Sequence, residues 1–464
     1  MNTGALRRDP AVTLGVIALG SVVGLLVGRL PLGAIALVAA TIGAIVVVTR
    51  PDLVLLAMIA ALPWENKLHY PSATFSTVKG IGLLVMLSYA LSLIGNRHKR
   101  IHLPLTLGVV TVLNVWVAIS LVASPIVPEG IQKLLRWFLL FAFFFLIVQL
   151  IDDREQIRRA MRWFIASVTA AALYALLQFV TAHGGFRVAG PLQDPNDFAY
   201  LLACALPIAA YLMSADGRRR FLWGVCFVSI AAAMLATFSR GALVGIGVLV
   251  IWGILTRRIP MWVVASGIAT GLIVTALAFT LWKPLLNTAL HEKTQVAQKN
   301  TESREAFWAA ALTLAERNPI AGVGPNAFTQ DAGPLIRNNP LTLEHPVTHN
   351  SYLEILSENG LPALMLFLAY LAMVWTLLRR AQRQAREEDD LEGRRLATAL
   401  QASWIIAVVS ATFLSEELSS PFWLLGGLAV VLARDSARRL QSSTHYEDRQ
   451  DDLEPTVPPA LSRG

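Results

Sequence analysis

The chain has 464 residues, of which 55% are hydrophobic and only 15% charged, with a formal net charge of +8. A soluble chain is usually about 25% charged, so this composition, with a mean hydropathy of +0.56, excludes an ordinary soluble domain. It points to a polytopic membrane protein whose positive excess anchors it to anionic lipid rather than to nucleic acid.

In chain order, apolar runs lie near 11–30, 32–49, 52–63, 78–95, 104–123, 133–151, 160–181, 198–214, 221–238, 241–256, 260–281, 351–378, 397–414 and 419–433. Their lengths match the helical crossing of a hydrocarbon core about 30 Å thick. The third run is too short to span upright, and the ninth and tenth are parted only by "SRG", so the expectation is twelve to fourteen transmembrane helices. The first run follows Arg7-Arg8 and leads straight into the second without a small-residue cleavage pattern, so it reads as a retained span. Cys204 and Cys226 fall inside apolar runs and read as buried thiols.

Basic residues mark alternate loops: "RHKR" (97–100), "DDREQIRR" (152–159), "RRR" (218–220), Arg257-Arg258 and the run 379–395. The positive-inside rule then places both termini in the cytoplasm. The expected organisation is N-terminal membrane helices over 1–281, one large, partly helical outside loop over 282–350, C-terminal membrane helices over 351–434 and a disordered cytoplasmic tail over 435–464. The tail reading rests on its polar, Pro-containing, aperiodic composition.

Within the large loop, Ala306, Phe307, Ala310, Ala311 and Leu314 recur at helical spacing, with Thr301 or Ser303 as the start and "RNP" with "GVGPN" as the stop. Arg304 then falls in a first turn, where the macrodipole favours acids. Either Glu302 and Glu305 offset it on a solvated face, or it converges with the free helix-start N–H groups on a bound anion. Exposed arginine is common, which weighs toward the first.

The next run opens with "HNSYLE" (349–354). Ser351 and Glu354 fit a capping box, with Asn350 finishing the turn before it. His349 precedes the cap at the outer membrane surface, where a helix start biases an imidazole toward its neutral form. It is either an interfacial side chain bonded to backbone or a general base near pH 7. Glu358 lies one turn deeper, where an acid is costly unless paired or facing water.

Two further loops face the same side. Arg240 sits between the ninth and tenth runs, where a hairpin turn needs Gly241 rather than an arginine, so an anion contact is favoured over a snorkelling tip. In "HGGFRVAGPLQDPNDFA" (183–199), Asp194, Asn196 and Asp197 read as helix caps, and Arg187 as a further phosphate contact. Arg187, Arg240, Arg304 and His349 thus share one membrane face, a set suited to an anionic, lipid-tethered substrate and a hydroxyl to be activated.

The stretches "SRGA" (239–242), "SREAFWAAALTLAERNPIAGVGPNAF" (303–328) and "HNSYLEILSENGLPALM" (349–365), with "GPLQDPNDFA" (190–199) as a weaker match, resemble the O-antigen ligase and polymerase superfamily of bacterial envelope glycosyltransferases. The resemblance covers roughly 185–375 and leans toward the lipopolysaccharide ligase branch. It implies a Gram-negative inner-membrane enzyme with a periplasmic active site, undecaprenyl-pyrophosphate-linked glycan as donor and lipid A–core as acceptor. It implies His349 as catalytic base, Arg240 and Arg304 on the pyrophosphate with Arg187 as a further contact, Asn350 and Glu358 in support, and no metal or cofactor. A polymerase of the same superfamily is the nearest alternative, and a protein O-oligosaccharyltransferase is a third branch. From a different class, a transporter of lipid-linked glycans would use arginines along a cavity, but needs midplane sites and often repeated halves.

Overall fold

The computed structural model describes residues 49–65, 77–95, 101–181, 187–257, 303–336 and 347–451, with positions 43, 46 and 47, and of 442–451 the backbone alone. The runs read at 11–30 and 260–281, most of that at 32–49, and much of the 282–350 loop lie outside the described residues.

Every remaining run folds as a helix, and the described residues contain no strand. The helices are α1 (Pro51–Ala61), α2 (Thr77–Gly95), α3 (Leu105–Ser120), α4 (Val127–Leu150), α5 (Arg154–Thr181), α6 (Pro195–Ala215), α7 (Arg220–Ala236) and α8 (Arg240–Leu255). They continue with α9 (303–317), α10 (Phe328–Ile336), α11 (Ser351–Glu387), α12 (Leu391–Ser410) and α13 (Ser420–Asp451). Among the described residues, six helices are long and apolar enough to cross a membrane: those at Leu105–Ala123, Val127–Leu150, Arg154–Thr181, Pro195–Ala215, Gly217–Ala236 and Ser351–Glu387. The chain is an all-α polytopic membrane protein.

Short connections make sequence neighbours antiparallel. α6 packs on α7 and α12, and α11 packs on α3, α12 and α13. The starts of α4, α6, α8, α11 and α13 therefore gather at one end of the bundle. In the core, the Tyr370 and Trp423 rings stack at 5.1 Å and Trp404 lies 4.9 Å from Phe422. Cys204 and Cys226 are free and buried, as expected.

At the opposite end, Arg154 is 5% exposed and ion-paired with Asp390 and, at 2.8 Å, with Asp435. Arg434 donates to the carbonyls of Val148 (2.9 Å) and Ile151. These bonds hold the C-terminal helix against α4 and α5, and it runs unbroken to Asp451. The backbone over 435–451 is thus helical, where composition had suggested a disordered tail. The polar stretch lacks an apolar stripe, but it extends a helix already nucleated and packed upstream.

A second, smaller core forms outside the membrane helices. Phe307, Ala310, Ala311 and Leu314 of α9 pack with Val323, Ala327, Phe328, Ala332 and Ile336, and Ala306 lies against them. The helical spacing read in the loop is the face that makes this core.

Candidate active site

The loop core is tied to the membrane helices by a break in α11. Gly360 has φ 79° and ψ 178°, a conformation open essentially to glycine alone. The break exposes carbonyls that a continuous helix would use internally. The turn after α9 takes them: Val323 N–H donates to Ser357 O at 2.9 Å and Gly324 N–H to Glu358 O at 2.8 Å. Leu361 N–H donates back to Pro319 O at 2.8 Å. From α3, the Trp116 indole donates to Asn359 O at 3.0 Å and Ser120 donates to the Asn359 side chain at 2.9 Å. Broken helices at membrane depth persist only where protein satisfies the freed groups in this way.

The start of α11 departs from the capping box read in the sequence. Asn350, not Ser351, is the N-cap: its Oδ1 accepts from Tyr352 N–H at 3.0 Å and Leu353 N–H at 3.1 Å. Ser351 instead donates to Leu414 O at 2.9 Å and accepts from Glu416 N–H at 2.7 Å. Glu354 turns away from the cap because a buried cation competes for it. The ammonium of Lys133 in α4 lies 2.5 Å from Glu354, 2.7 Å from Glu358 and 3.8 Å from Glu417. Thr348 and Ser415 also donate to Glu354. Glu358 is 2% exposed, so the acid flagged as costly is paired.

His349 stands between Thr348 and Asn350, both buried and anchored. The Trp308 indole of α9 donates to Thr348 O at 2.9 Å. His349 has φ +47°, a left-handed backbone uncommon for a side chain with Cβ. Burial lowers its pKa below the ordinary imidazole value, and Arg304 lowers it further, against smaller opposing effects of Asp194 and Glu354. The ring is therefore neutral at neutral pH.

Three arginines share this neighbourhood. Arg304 sits in the first turn of α9, and its pKa is lowered by burial and then by the charges of Arg240 and Arg187. Among the described residues no carboxylate acts on it, and Glu305 is exposed. Arg187 is lowered by burial and by Arg240, with Asp194 opposing. Its guanidinium donates to Thr237 O at 2.9 Å and to Asn196 Oδ1 at 2.7 Å. Asp194 caps α6, accepting from the N–H groups of Asn196 (2.6 Å) and Asp197 (3.1 Å). Asn196 thus serves Arg187 through its side chain rather than a helix terminus.

Arg240 is the first residue of α8 and exposed. The reversal before it is made by Phe238 (φ +54°), not by Gly241. Gly241 lies inside α8, where a Cβ would stand 3.3 Å from Phe413. Its small size admits close packing rather than a turn.

The bundle therefore brings Arg187, Arg240, Arg304 and His349 into one electrostatic neighbourhood beside Asn350, whereas Glu358 is held on Lys133 instead. Sequence reasoning missed Lys133, which was absorbed into an apolar run, and Glu416-Glu417. The signals were there: one lysine within "EGIQKLLRW" (129–137) and a double acid in "SEELSS" (415–420).

Residues 225–368 match the family described as O-antigen ligase (Wzy_C). The match contains Arg240, Arg304, His349, Asn350, Glu354 and Glu358, and leaves Lys133, Arg187 and Glu416-Glu417 outside it. No curated protein matches the chain.

Proposed function

We propose that this member of the O-antigen ligase/polymerase superfamily is a ligase. In this reading it moves a glycan from undecaprenyl pyrophosphate to a sugar hydroxyl of lipid A–core, on the periplasmic side of a Gram-negative inner membrane. Both termini are then cytoplasmic. The observation that carries the reading is the gathering of Arg187 and Arg304 within reach of the Arg240 charge, which lowers the pKa of both, beside a half-buried, neutral imidazole.

Like charges are held together at a cost, and a diphosphate offsets that cost by taking charge-assisted hydrogen bonds. With the pyrophosphate on Arg187, Arg240 and Arg304, the anomeric carbon of the donor sugar lies toward His349. The neutral imidazole accepts the proton of the acceptor hydroxyl as that oxygen attacks the anomeric carbon. The bond from that carbon to the phosphate oxygen breaks, and undecaprenyl pyrophosphate leaves with the bonding pair. Displacement in a single step inverts the anomeric centre. The arginines stabilise the charge that develops on the leaving oxygen, the work a divalent cation does elsewhere, so the reaction is read as metal-independent.

The test is turnover in vesicles that hold the full chain, undecaprenyl-pyrophosphate-linked glycan and lipid A–core. His349→Ala should lose at least about 100-fold in transfer, the lower end of what a positioned base contributes, while lipid binding persists. Arg304→Gln should weaken binding of undecaprenyl pyrophosphate. Undiminished transfer by His349→Ala would contradict the assignment of the base and move a lipid-linked glycan transporter to the front.

A further inference from the structure

A cavity of about 410 Å³ opens at the site end of the bundle, between α4, α6, the start of α11 and the 415–421 turn. Its size suits a small-molecule subsite, and its chemistry is opposite to that of the arginine cluster. None of Arg187, Arg240 and Arg304 lines it, whereas Asp197, Glu354, Glu358, Glu416 and Glu417 do, facing only Lys133 and Arg136 among the stronger bases. Thr348, the residue before His349, lines it as well.

The acids alone do not make a site, because three of them are engaged by Lys133. The second observation is a set of buried polar atoms that the protein leaves unsatisfied. Oε1 of Glu416, Oε2 of Glu417 and the hydroxyl of Tyr200 make no hydrogen bond of good geometry among the described residues, although Ser419 approaches both Tyr200 and Glu416, and Asp197 approaches Glu416. These side chains are 3%, 2% and 0% exposed, and all three line the cavity. Orphaned buried groups are rare because each costs about 1–3 kcal/mol, and a ligand rich in hydroxyls would satisfy them. Burial raises both Glu416 and Glu417 above the ordinary carboxylate range, which favours the protonated form, a form that can donate as well as accept. Even then, Glu354 together with Glu65 and Glu129, which also line the cavity, outnumbers Lys133 and Arg136, and an anion entering the cavity meets net repulsion.

We infer that this cavity is the acceptor subsite, and that it selects a sugar bearing hydroxyls and no phosphate or carboxylate on the residue that enters. The inference rests on the glycosyl-transfer reading for the word acceptor, but sugar binding itself does not. The two anionic demands are thereby separated. Pyrophosphate is drawn to the arginines, none of which lines the cavity, and the acid-lined cavity, which reaches Thr348 next to His349, rejects phosphate and admits the nucleophilic hydroxyl.

The test is saturation-transfer NMR on the purified full chain in nanodiscs, with methyl glycosides of neutral hexoses and their 6-phosphates as probes. Undecaprenyl pyrophosphate binding is measured in parallel. The neutral glycosides should be saturated and the 6-phosphates at least tenfold less so. Tyr200→Phe, which removes a single hydroxyl, should weaken the neutral signal several-fold, and Glu416→Gln with Glu417→Gln, which exchanges acid O–H donors for weaker amide donors, should weaken it as well while leaving the preference over phosphate in place. Arg304→Gln should keep the sugar signal and lose undecaprenyl pyrophosphate. Equal saturation by the 6-phosphates, no saturation by any glycoside, or a signal indifferent to Tyr200→Phe and to the paired Gln substitutions would overturn the subsite. Sugar binding without any binding of undecaprenyl pyrophosphate would leave the cavity as a sugar site and overturn the transferase reading instead.

Discussion

The ammonium of Lys133 lies 2.7 Å from Oε2 of Glu358, joining the start of α4 to the broken start of α11. Glu354 shares that ammonium, so one buried cation fixes the two acids that flank the turn leading down from His349. Removing one partner of such a buried pair costs about 3–5 kcal/mol, because the remaining charges are left uncompensated. Lys133→Met should therefore lower the unfolding temperature sharply in detergent. The double variant Lys133→Met/Glu358→Gln should recover part of the loss. A single variant as stable as the parent would show that the acids are satisfied by other means.

Gly360 admits no side chain. A Cβ there would stand 2.0 Å from the carbonyl oxygen of Ile320, and the backbone sits at φ 79°. Both penalties act on rigid backbone rather than on a flexible side chain. Gly360→Ala should destabilise the chain by about 2–4 kcal/mol and loosen α9 from the membrane helices. Protease sensitivity of the 303–336 segment, compared with the parent, checks this.

The pH dependence of transfer has a defined sign. Burial and Arg304 lower the His349 pKa, so the base stays neutral at and somewhat below pH 6.5. Activity should hold down to that range and fall only on further acidification. Arg304→Gln removes a lowering charge and should move the acidic limb upward, toward 6.5. Asp194→Asn removes a raising charge and, since Asn also caps well, should move it downward. The same asymmetry bears on stability. An imidazole whose folded pKa is depressed binds its proton more tightly when unfolded, so the folded state loses stability as pH drops below about 6.5. Opposite shifts in the two variants, read from kcat/KM profiles, would establish the coupling.

Asn196 positions Arg187 through a 2.7 Å bond to its guanidinium. Asn196→Ala should leave the α6 cap, which is Asp194, in place. It should raise the donor KM about 3–10-fold with a smaller effect on kcat, as expected for loss of a single charge-assisted hydrogen bond. An unchanged donor KM would remove Arg187 from the pyrophosphate site.

The helices were legible because hydrophobic run length and positional charge report directly on a bilayer. Each described run folds as a helix, several of them longer than the run because polar turns extend them, as at Ser351–Glu387 and Ser420–Asp451, and the α9 face was visible in the spacing of Phe307, Ala310, Ala311 and Leu314. That Arg187, Arg240, Arg304 and His349 interact electrostatically agrees with the shared face read from alternate loops, while their roles on a substrate belong to the proposal. What escaped were pairings between distant elements. Ser351 and Glu354 satisfy a local capping pattern, yet Lys133, 221 positions away in sequence, outcompetes the cap for Glu354. Gly241 looks like a turn residue, and only its contact with Phe413 shows otherwise. The break at Gly360 was hidden because "SENGLP" (357–362) reads equally well as a polar interruption of a straight helix.

The central claim is the transfer reaction itself, and mass spectrometry of products tests it most directly. The purified chain would be reconstituted with undecaprenyl-pyrophosphate-linked glycan and lipid A–core in the presence of a chelator. The account predicts intact glycan on lipid A–core, with inverted anomeric configuration and loss of product in His349→Ala. Longer glycans that remain on undecaprenyl pyrophosphate, with lipid A–core untouched, would contradict it in favour of a polymerase.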